Sequence, residues 1–262
     1  MPKRALIIRH NEHETLGENY TSTLRDHQFE LIPLNVFESA PHFDEFNPPS
    51  LSELDLIIAL GGALSANDDY PAIHAEREFF AEAMSSGIPV FGVCLGAQIM
   101  AHALSGLVEP TGGYEFGLRK IWITERGSRD PVFSKLRIPL VPTLHGECFS
   151  VPDGATELAF GYMLCRDGTF RRQSLAFRYG NSYAFQFEPQ LTLDELKIWN
   201  RELAGDYELM GPLFDPAFEA EANLREFAGY SPMYETQSRE MLIAFLENAG
   251  LAQPNCQEEA SN

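Results

Sequence analysis

The first hundred residues alternate short apolar runs with helix-length segments, and this alternation restricts the fold more than any other feature. Ala5-Leu-Ile-Ile, Glu30–Phe37, Leu54–Leu60 and Ile88–Val93 have strand composition. Residues 15–27 read as a helix. Pro71–Ser86 carries Ile73, Phe79, Phe80, Ala83 and Met84 with charges between them, and Leu95 to Leu104 is stopped by Gly106. Strands joined through helical crossovers run parallel, so the pattern predicts a mostly parallel α/β sheet with helices on both faces. From Phe116 onward the spacing tightens. Arg119–Thr124, Pro139–Leu144, Thr156–Phe160, Ser174–Tyr179 and Ser182–Phe187 are separated by turn residues and predict an antiparallel extension of that sheet. After Gln190 the composition is helical, with helices expected over Leu193–Leu203 and Thr236–Asn248. No linker or repeat divides the chain, so residues 1–250 are expected to form one domain and 251–262 a frayed polar tail.

Composition narrows the partners. The 262 residues contain 38 acidic side chains against 19 Lys+Arg, a formal charge of −19, which argues against a nucleic-acid footprint. No run approaches the roughly 18–20 apolar residues of a membrane span. Only four apolar residues precede Arg9, too few for a secretory signal. The four cysteines, Cys94, Cys148, Cys165 and Cys256, show no paired spacing, so a reducing, cytoplasmic setting is expected.

The stretch richest in chemistry is Gly92-Val93-Cys94-Leu95-Gly96, a G-x-C-x-G turn between an apolar strand and a helix. Such an elbow holds a strained residue at the carboxyl edge of a sheet, with flanking glycines making room for it. At that helix N-terminus the dipole favours a thiolate, and free N–H groups can receive an oxyanion. The competing reading is a small apolar cysteine buried in a structural turn.

Further motifs occur in order along the chain. They are Leu60-Gly-Gly-Ala-Leu-Ser, then the elbow with Ala97-Gln98, Glu115-Phe-Gly-Leu, His145-Gly-Glu-Cys-Phe with Pro152-Asp-Gly-Ala, and Phe185-Gln-Phe-Glu-Pro-Gln. Together they resemble the class I glutamine amidotransferases, in particular the stand-alone branch similar to the glutaminase domain of GMP synthase. The resemblance covers about residues 3–200. It implies a flavodoxin-like sheet and a nucleophile, Cys94, that attacks the glutamine side-chain amide, forms a γ-glutamyl thioester and releases ammonia. It implies oxyanion donors at the N–H of Leu95 and in the Gly61-Gly62 loop, with Gln98 and the His145-Gly146 turn beside the substrate.

The family pattern after the last strand is F-H-P-E, its His being the general base and its Glu orienting that His. In this chain Glu188 occupies the His position and Gln190 the Glu position, between matching Phe187 and Pro189. Imidazole beside a thiol stabilises a thiolate–imidazolium pair, whereas a carboxylate beside it raises the thiol pKa and has its own raised in turn. Little ordinary glutaminase activity is therefore expected.

Three readings of the altered site follow. In the first, Cys94 is the nucleophile and Glu188 the acid/base group on a small amine, amide or amino-acid-derived substrate, with His145 either a substitute base or a turn residue that shapes the pocket. This reading needs no cofactor. In the second, Cys94, His145 and Glu188 bind a divalent transition metal, with Glu147 as a fourth ligand. In the third, the chain is a non-catalytic binding or regulatory relative. A homo-oligomer or a partner enzyme is compatible with each. Asn67-Asp-Asp-Tyr-Pro71 reads as a loop and helix-entry cap, Glu115 as a solvated loop carboxylate, Cys148, Cys165 and Cys256 as ordinary thiols, and Trp122 and Trp199 as packing residues.

Overall fold

The computed structural model describes residues 2–253. In chain order the elements are β1 (Lys3–Arg9), α1 (Gly17–Asp26), β2 (Phe29–Asn35), β3 (Leu56–Ala59), α2 (Pro71–Ser85), β4 (Val90–Val93), α3 (Leu95–Ala103), β5 (Val108–Lys120), β6 (Trp122–Ile123) and α4 (Glu125–Ser128). Then follow β7 (Leu140–Phe149), β8 (Thr156–Leu164), β9 (Phe170–Tyr179), β10 (Ser182–Phe185), α5 (Leu193–Glu202), α6 (Asp206–Leu209) and α7 (Pro216–Asn248).

Eight strands form one sheet in the order β2-β1-β3-β4-β10-β9-β8-β6. The five from β2 to β10 are parallel, and β9, β8 and β6 extend the sheet antiparallel. This is the flavodoxin-like arrangement expected of the sequence. Its central strands are apolar at successive positions because both faces are covered. Ala5 and Ile7 of β1 point into the core shared with Tyr20 and Leu24 of α1 and Leu242 and Phe245 of α7. Leu6 and Ile8 point the other way, toward Ile73 and Phe80 of α2 and Met100 of α3.

Two features differ from the sequence expectation. β5 and β7 pair only with each other, as a two-stranded antiparallel sheet whose register shifts between Pro110 and Glu115. β10 belongs to the parallel set, beside β4, not to the extension. The carboxyl end of β4, which carries the elbow, is thereby flanked by the carboxyl ends of β3 and β10.

α7 is 33 residues long, starting at Pro216 rather than near Thr236. Gly229 and Pro232 read as breakers, yet Phe227, Tyr230 and Tyr234 are buried in the same core as Met241 and Leu242. Tertiary packing of that face outweighs the local cost of an interior proline. The expected tail starts too early, since Leu251 and Ala252 pack against the core. Residues 254–262, Cys256 among them, lie outside the described residues. The Asn67–Tyr70 stretch is a loop and Pro71 opens α2, but the N-cap is Tyr70 and no side chain caps the helix. Asp68 accepts instead from the Ser65 N–H. Trp199 is buried packing, while Trp122 is 41% exposed and stacks on Phe160. No helix among the described residues is long and apolar enough to cross a membrane.

Candidate active site

β4 ends at Val93, α3 begins at Leu95, and the single residue between them turns the chain. Cys94 has φ +49° and ψ −108°, in the left-handed half of backbone space where non-glycine residues are strained. Two close approaches enforce the turn. A Cβ on Gly92 would lie 2.9 Å from the Gly96 carbonyl oxygen, and one on Gly96 would lie 2.4 Å from that of Ala59. The Cys94 N–H donates to the Phe185 carbonyl (2.8 Å), tying the elbow to β10. The Leu95 N–H points at the sulfur and favours its anion.

The sulfur is 7% exposed as part of its residue and borders a cavity of about 660 Å³. Gly62, Gln98, His145, Gly146 and Glu147 line the same cavity, so the structure brings together the substrate-side residues expected from sequence, with Leu95 directly behind. Gln98 spends its amide nitrogen inside the wall, donating to the Glu147 carbonyl and to Gln186 Oε1, both at 3.2 Å. Gln186 in turn places its Nε2 3.7 Å from the sulfur.

The proton-carrying groups around Cys94 are carboxyls. Glu188, 1% exposed, faces the thiol, and Gln190 Nε2 donates to its Oε2 at 2.8 Å. Tyr234 and the β7 residue Pro142 fix the Glu188 backbone, the tyrosine hydroxyl donating to the Glu188 carbonyl (3.0 Å) and the Glu188 N–H donating to the Pro142 carbonyl (2.9 Å). Burial pushes the Glu188 pKa up to about 7, while hydrogen bonds from Gln190 and Cys94 oppose the shift. The Cys94 thiol is pushed well above its ordinary value, first by burial and then by the charges of Glu188 and Glu14. At neutral pH the sulfur is therefore a thiol, and its neighbour is a carboxyl poised to gain or lose a proton.

His145 does not take the place of a base on the sulfur. It sits within β7, not in a turn, opposite Glu115 of β5. Its Nδ1 is 2.9 Å from the Glu147 carbonyl, and its Nε2 is 3.6 Å from Glu115 Oε2 with no hydrogen bond. Glu115 is itself 7% exposed and follows the β5 bulge, so it is a buried partner of His145 rather than a solvated loop carboxylate. The metal-ligand set Cys94, His145 and Glu188, with Glu147, is not assembled. Among the described residues no three His, Cys, Asp or Glu side chains converge as a cation site. The imidazole is carried by β7 and the carboxyl by the loop after β10, and they are held by different partners.

Two features escaped the sequence reading. One is Glu14, in the β1–α1 loop, whose carboxylate lies beside Gly61 and Cys94. The other is a buried pair, His10 Nε2 to Glu76 Oε2 at 2.8 Å, both side chains wholly inaccessible. His10 Nδ1 meets the Leu60 carbonyl at 3.0 Å, and its Cβ packs against Gly62, so the pair supports the glycine loop from below. No spacing signal links residues 66 positions apart.

Comparison with known proteins agrees with this geometry. The class-I glutamine amidotransferase family profile matches residues 11–194. The glutamine amidotransferase-like protein YfeJ of Salmonella typhimurium is 29% identical over 201 residues, covering 74% of this chain and 78% of that protein. The glutamine-hydrolysing GMP synthase of Petrotoga mobilis is 34% identical over 189 residues, 70% of this chain, but this chain spans only 32% of that enzyme's length. Two crystal structures share the fold. A Thermotoga maritima glutamine amidotransferase has TM-score 0.74 and 24% identity, covering 94% of this chain and 99% of that one. The Methylobacillus flagellatus protein has TM-score 0.78 and 20% identity, covering 95% and 96%. The chain belongs to the class I glutamine amidotransferase family.

Proposed function

We propose that this chain is a glutamine amidotransferase-like enzyme whose nucleophile, Cys94, works with a carboxyl, Glu188, where its relatives use an imidazole. Its substrate is a small amine, amide or amino-acid-derived molecule. Cys94 attacks the acyl carbon of an amide group, Glu188 accepts the thiol proton and returns it to the leaving amine, and the N–H groups of Leu95 and the Gly61-Gly62 loop receive the oxyanion. Water, giving a proton to Glu188, then cleaves the thioester to the free acid and restores the thiol. Gln190 orients Glu188 as the family glutamate orients its histidine. No cofactor enters this scheme. The reaction is placed in the cytoplasm, with a second copy or a partner enzyme as the acceptor of the released group.

One observation carries the reading: after burial, the charges of Glu188 and Glu14 do most to raise the sulfur's pKa, and the nearby imidazole of His145 is turned to Glu147 and Glu115. A carboxyl with a pKa of about 7 is suited to proton transfer at neutral pH, as a free glutamate is not. It is nonetheless a poor match for a thiol held far above 7, so ordinary glutamine turnover is expected to be slow. The test is ammonia release from glutamine by the natural chain and by the double variant Glu188→His/Gln190→Glu. The variant is expected to gain roughly 10²-fold, the usual scale for one positioned acid–base group. Ordinary glutaminase rates in the natural chain, abolished by Cys94→Ser and unaffected by Glu188→Gln, would overturn the proposal.

A further inference from the structure

Three carboxylates stand on the cavity wall beside Cys94: Glu14, Glu147 and Asp206, against one guanidinium, Arg166. Two of the three are already engaged. Ser65 Oγ donates to Glu147 Oε2 and Tyr114 OH donates to Asp206 Oδ2, each at 2.8 Å. Glu14 is different. It is 5% exposed, and its buried Oε2 has no hydrogen-bond partner. Burial, and after it the charges of Glu188, Asp206 and Glu195, push its pKa well up against the pull of Arg9, so a cation beside it is what would hold it ionised. Arg9 is committed elsewhere, its Nε donating to the Glu14 backbone carbonyl (3.0 Å) and its Nη2 to that of Glu12 (2.8 Å). An unpaired buried acid among other acids is costly to folding and is retained where a ligand completes it.

The position of that oxygen specifies the ligand. A Cβ built on Gly61 would lie 2.4 Å from Glu14 Oε2 and 3.2 Å from Cys94 Cβ. Glu14 Oε2 thus packs directly on Gly61, whose missing side chain lets the carboxyl stand beside Cys94 on the cavity wall. A single carboxyl oxygen without a partner suits a primary ammonium, a compact charge with three donors. The other anions on the wall would repel a carboxylate attached to the same molecule.

We propose that the cavity takes a net-cationic ligand bearing a primary ammonium close to the acyl carbon presented to Cys94, and that Glu14 is the counter-ion of that ammonium. This deepens the proposed function, resting on its placement of substrate beside Cys94, and it names the substrate class as amine-bearing cations rather than zwitterionic amino acids. Glu14 therefore sets specificity, through charge, at a point where the family-wide motifs contribute none.

The test separates binding from chemistry by using the full chain carrying Cys94→Ala. n-Butylammonium, 1-butanol, butyrate and L-norvaline are titrated by calorimetry; they are of similar size and differ in charge. The cation is expected to bind at least tenfold more tightly than the other three, and Glu14→Gln in the same background is expected to reduce it to the level of 1-butanol. Equal or tighter binding of butyrate or norvaline, absence of saturable binding by the amine, or an amine affinity unchanged by Glu14→Gln would each overturn the assignment. The ligand order in the chain that keeps Glu14 stands even where the variant fails to fold. The ligand order is read without any Cys94 chemistry, so its failure leaves the Cys94–Glu188 reaction standing, whereas a failed reaction with the ligand order intact overturns the reaction alone.

Discussion

Two glutamates are sealed into this molecule near the same sheet edge, and each meets a different partner. Glu76 meets an imidazole, that of His10, beneath the glycine loop. Glu188 meets a thiol, that of Cys94, above it. The first pairing is complementary: burial acts to lower the His10 pKa, but the attraction and hydrogen bond of Glu76 outweigh it and the value is raised. The second pairing is antagonistic for the sulfur, since the charge of Glu188 makes the thiolate harder to form, while the thiol hydrogen bond eases ionisation of Glu188 without offsetting its burial. The chain thus possesses an imidazole–carboxylate pair and uses it to brace a loop, while the elbow cysteine is given a carboxyl. Residue type does not assign the role; position relative to the elbow does.

The largest expected effect falls on the complementary pair. His10→Ala leaves Glu76 buried and alone, and should cost about 3–5 kcal/mol of stability, measured by urea denaturation at pH 6. The contribution of this pair is fully present below the ordinary histidine value of 6.5 and is lost as pH rises through the higher folded value. A cost under about 1 kcal/mol would show that the pair does not hold the loop.

The antagonistic pair has an earlier window. Glu188 has an ordinary value of 4.5 and a folded value of about 7, so the native state holds its proton more tightly than the unfolded state. Its stabilisation is fully present below pH 4.5 and is lost by pH 7. Relative to Glu188→Gln, the natural chain should lose roughly 3 kcal/mol across that interval, read as the difference between the two stability–pH curves. Parallel curves would mean that Glu188 is solvated and the comparison collapses.

Much of this architecture was legible in the sequence. The parallel half could be read because strands buried on both faces are apolar throughout, and because only glycine fits at positions 92 and 96 around the elbow. Glu188 could be placed because Phe187 and Pro189 fix its register. The rest depends on contacts distant in sequence. Glu14 lies in a polar stretch, Asn11-Glu-His-Glu, that looks solvated until Gly61 and Cys94 fold over it. His145 looked like a turn because the β5 bulge opposite it leaves no periodic trace. The first half of α7 was missed because Gly229 and Pro232 are local breakers, while the face that rescues them is recognised only against the completed core.

The smallest effect concerns the backbone. Cys94 holds a positive φ that glycine adopts freely, so Cys94→Gly should stabilise the chain by about 1 kcal/mol while removing the thiol. A thermal melt reads the sign, and a loss of stability would place the strain elsewhere.

The central claim is that the sulfur's neighbour is a carboxyl and not an imidazole, and the pH dependence of Cys94 alkylation by iodoacetamide, resolved by peptide mass, tests it most directly. The account predicts a rate that climbs about tenfold per pH unit to beyond pH 9 without a plateau, and that Glu188→Gln raises several-fold at pH 8. A rate already level between pH 6 and 8, as a thiolate–imidazolium pair would give, and insensitive to Glu188→Gln, would contradict it.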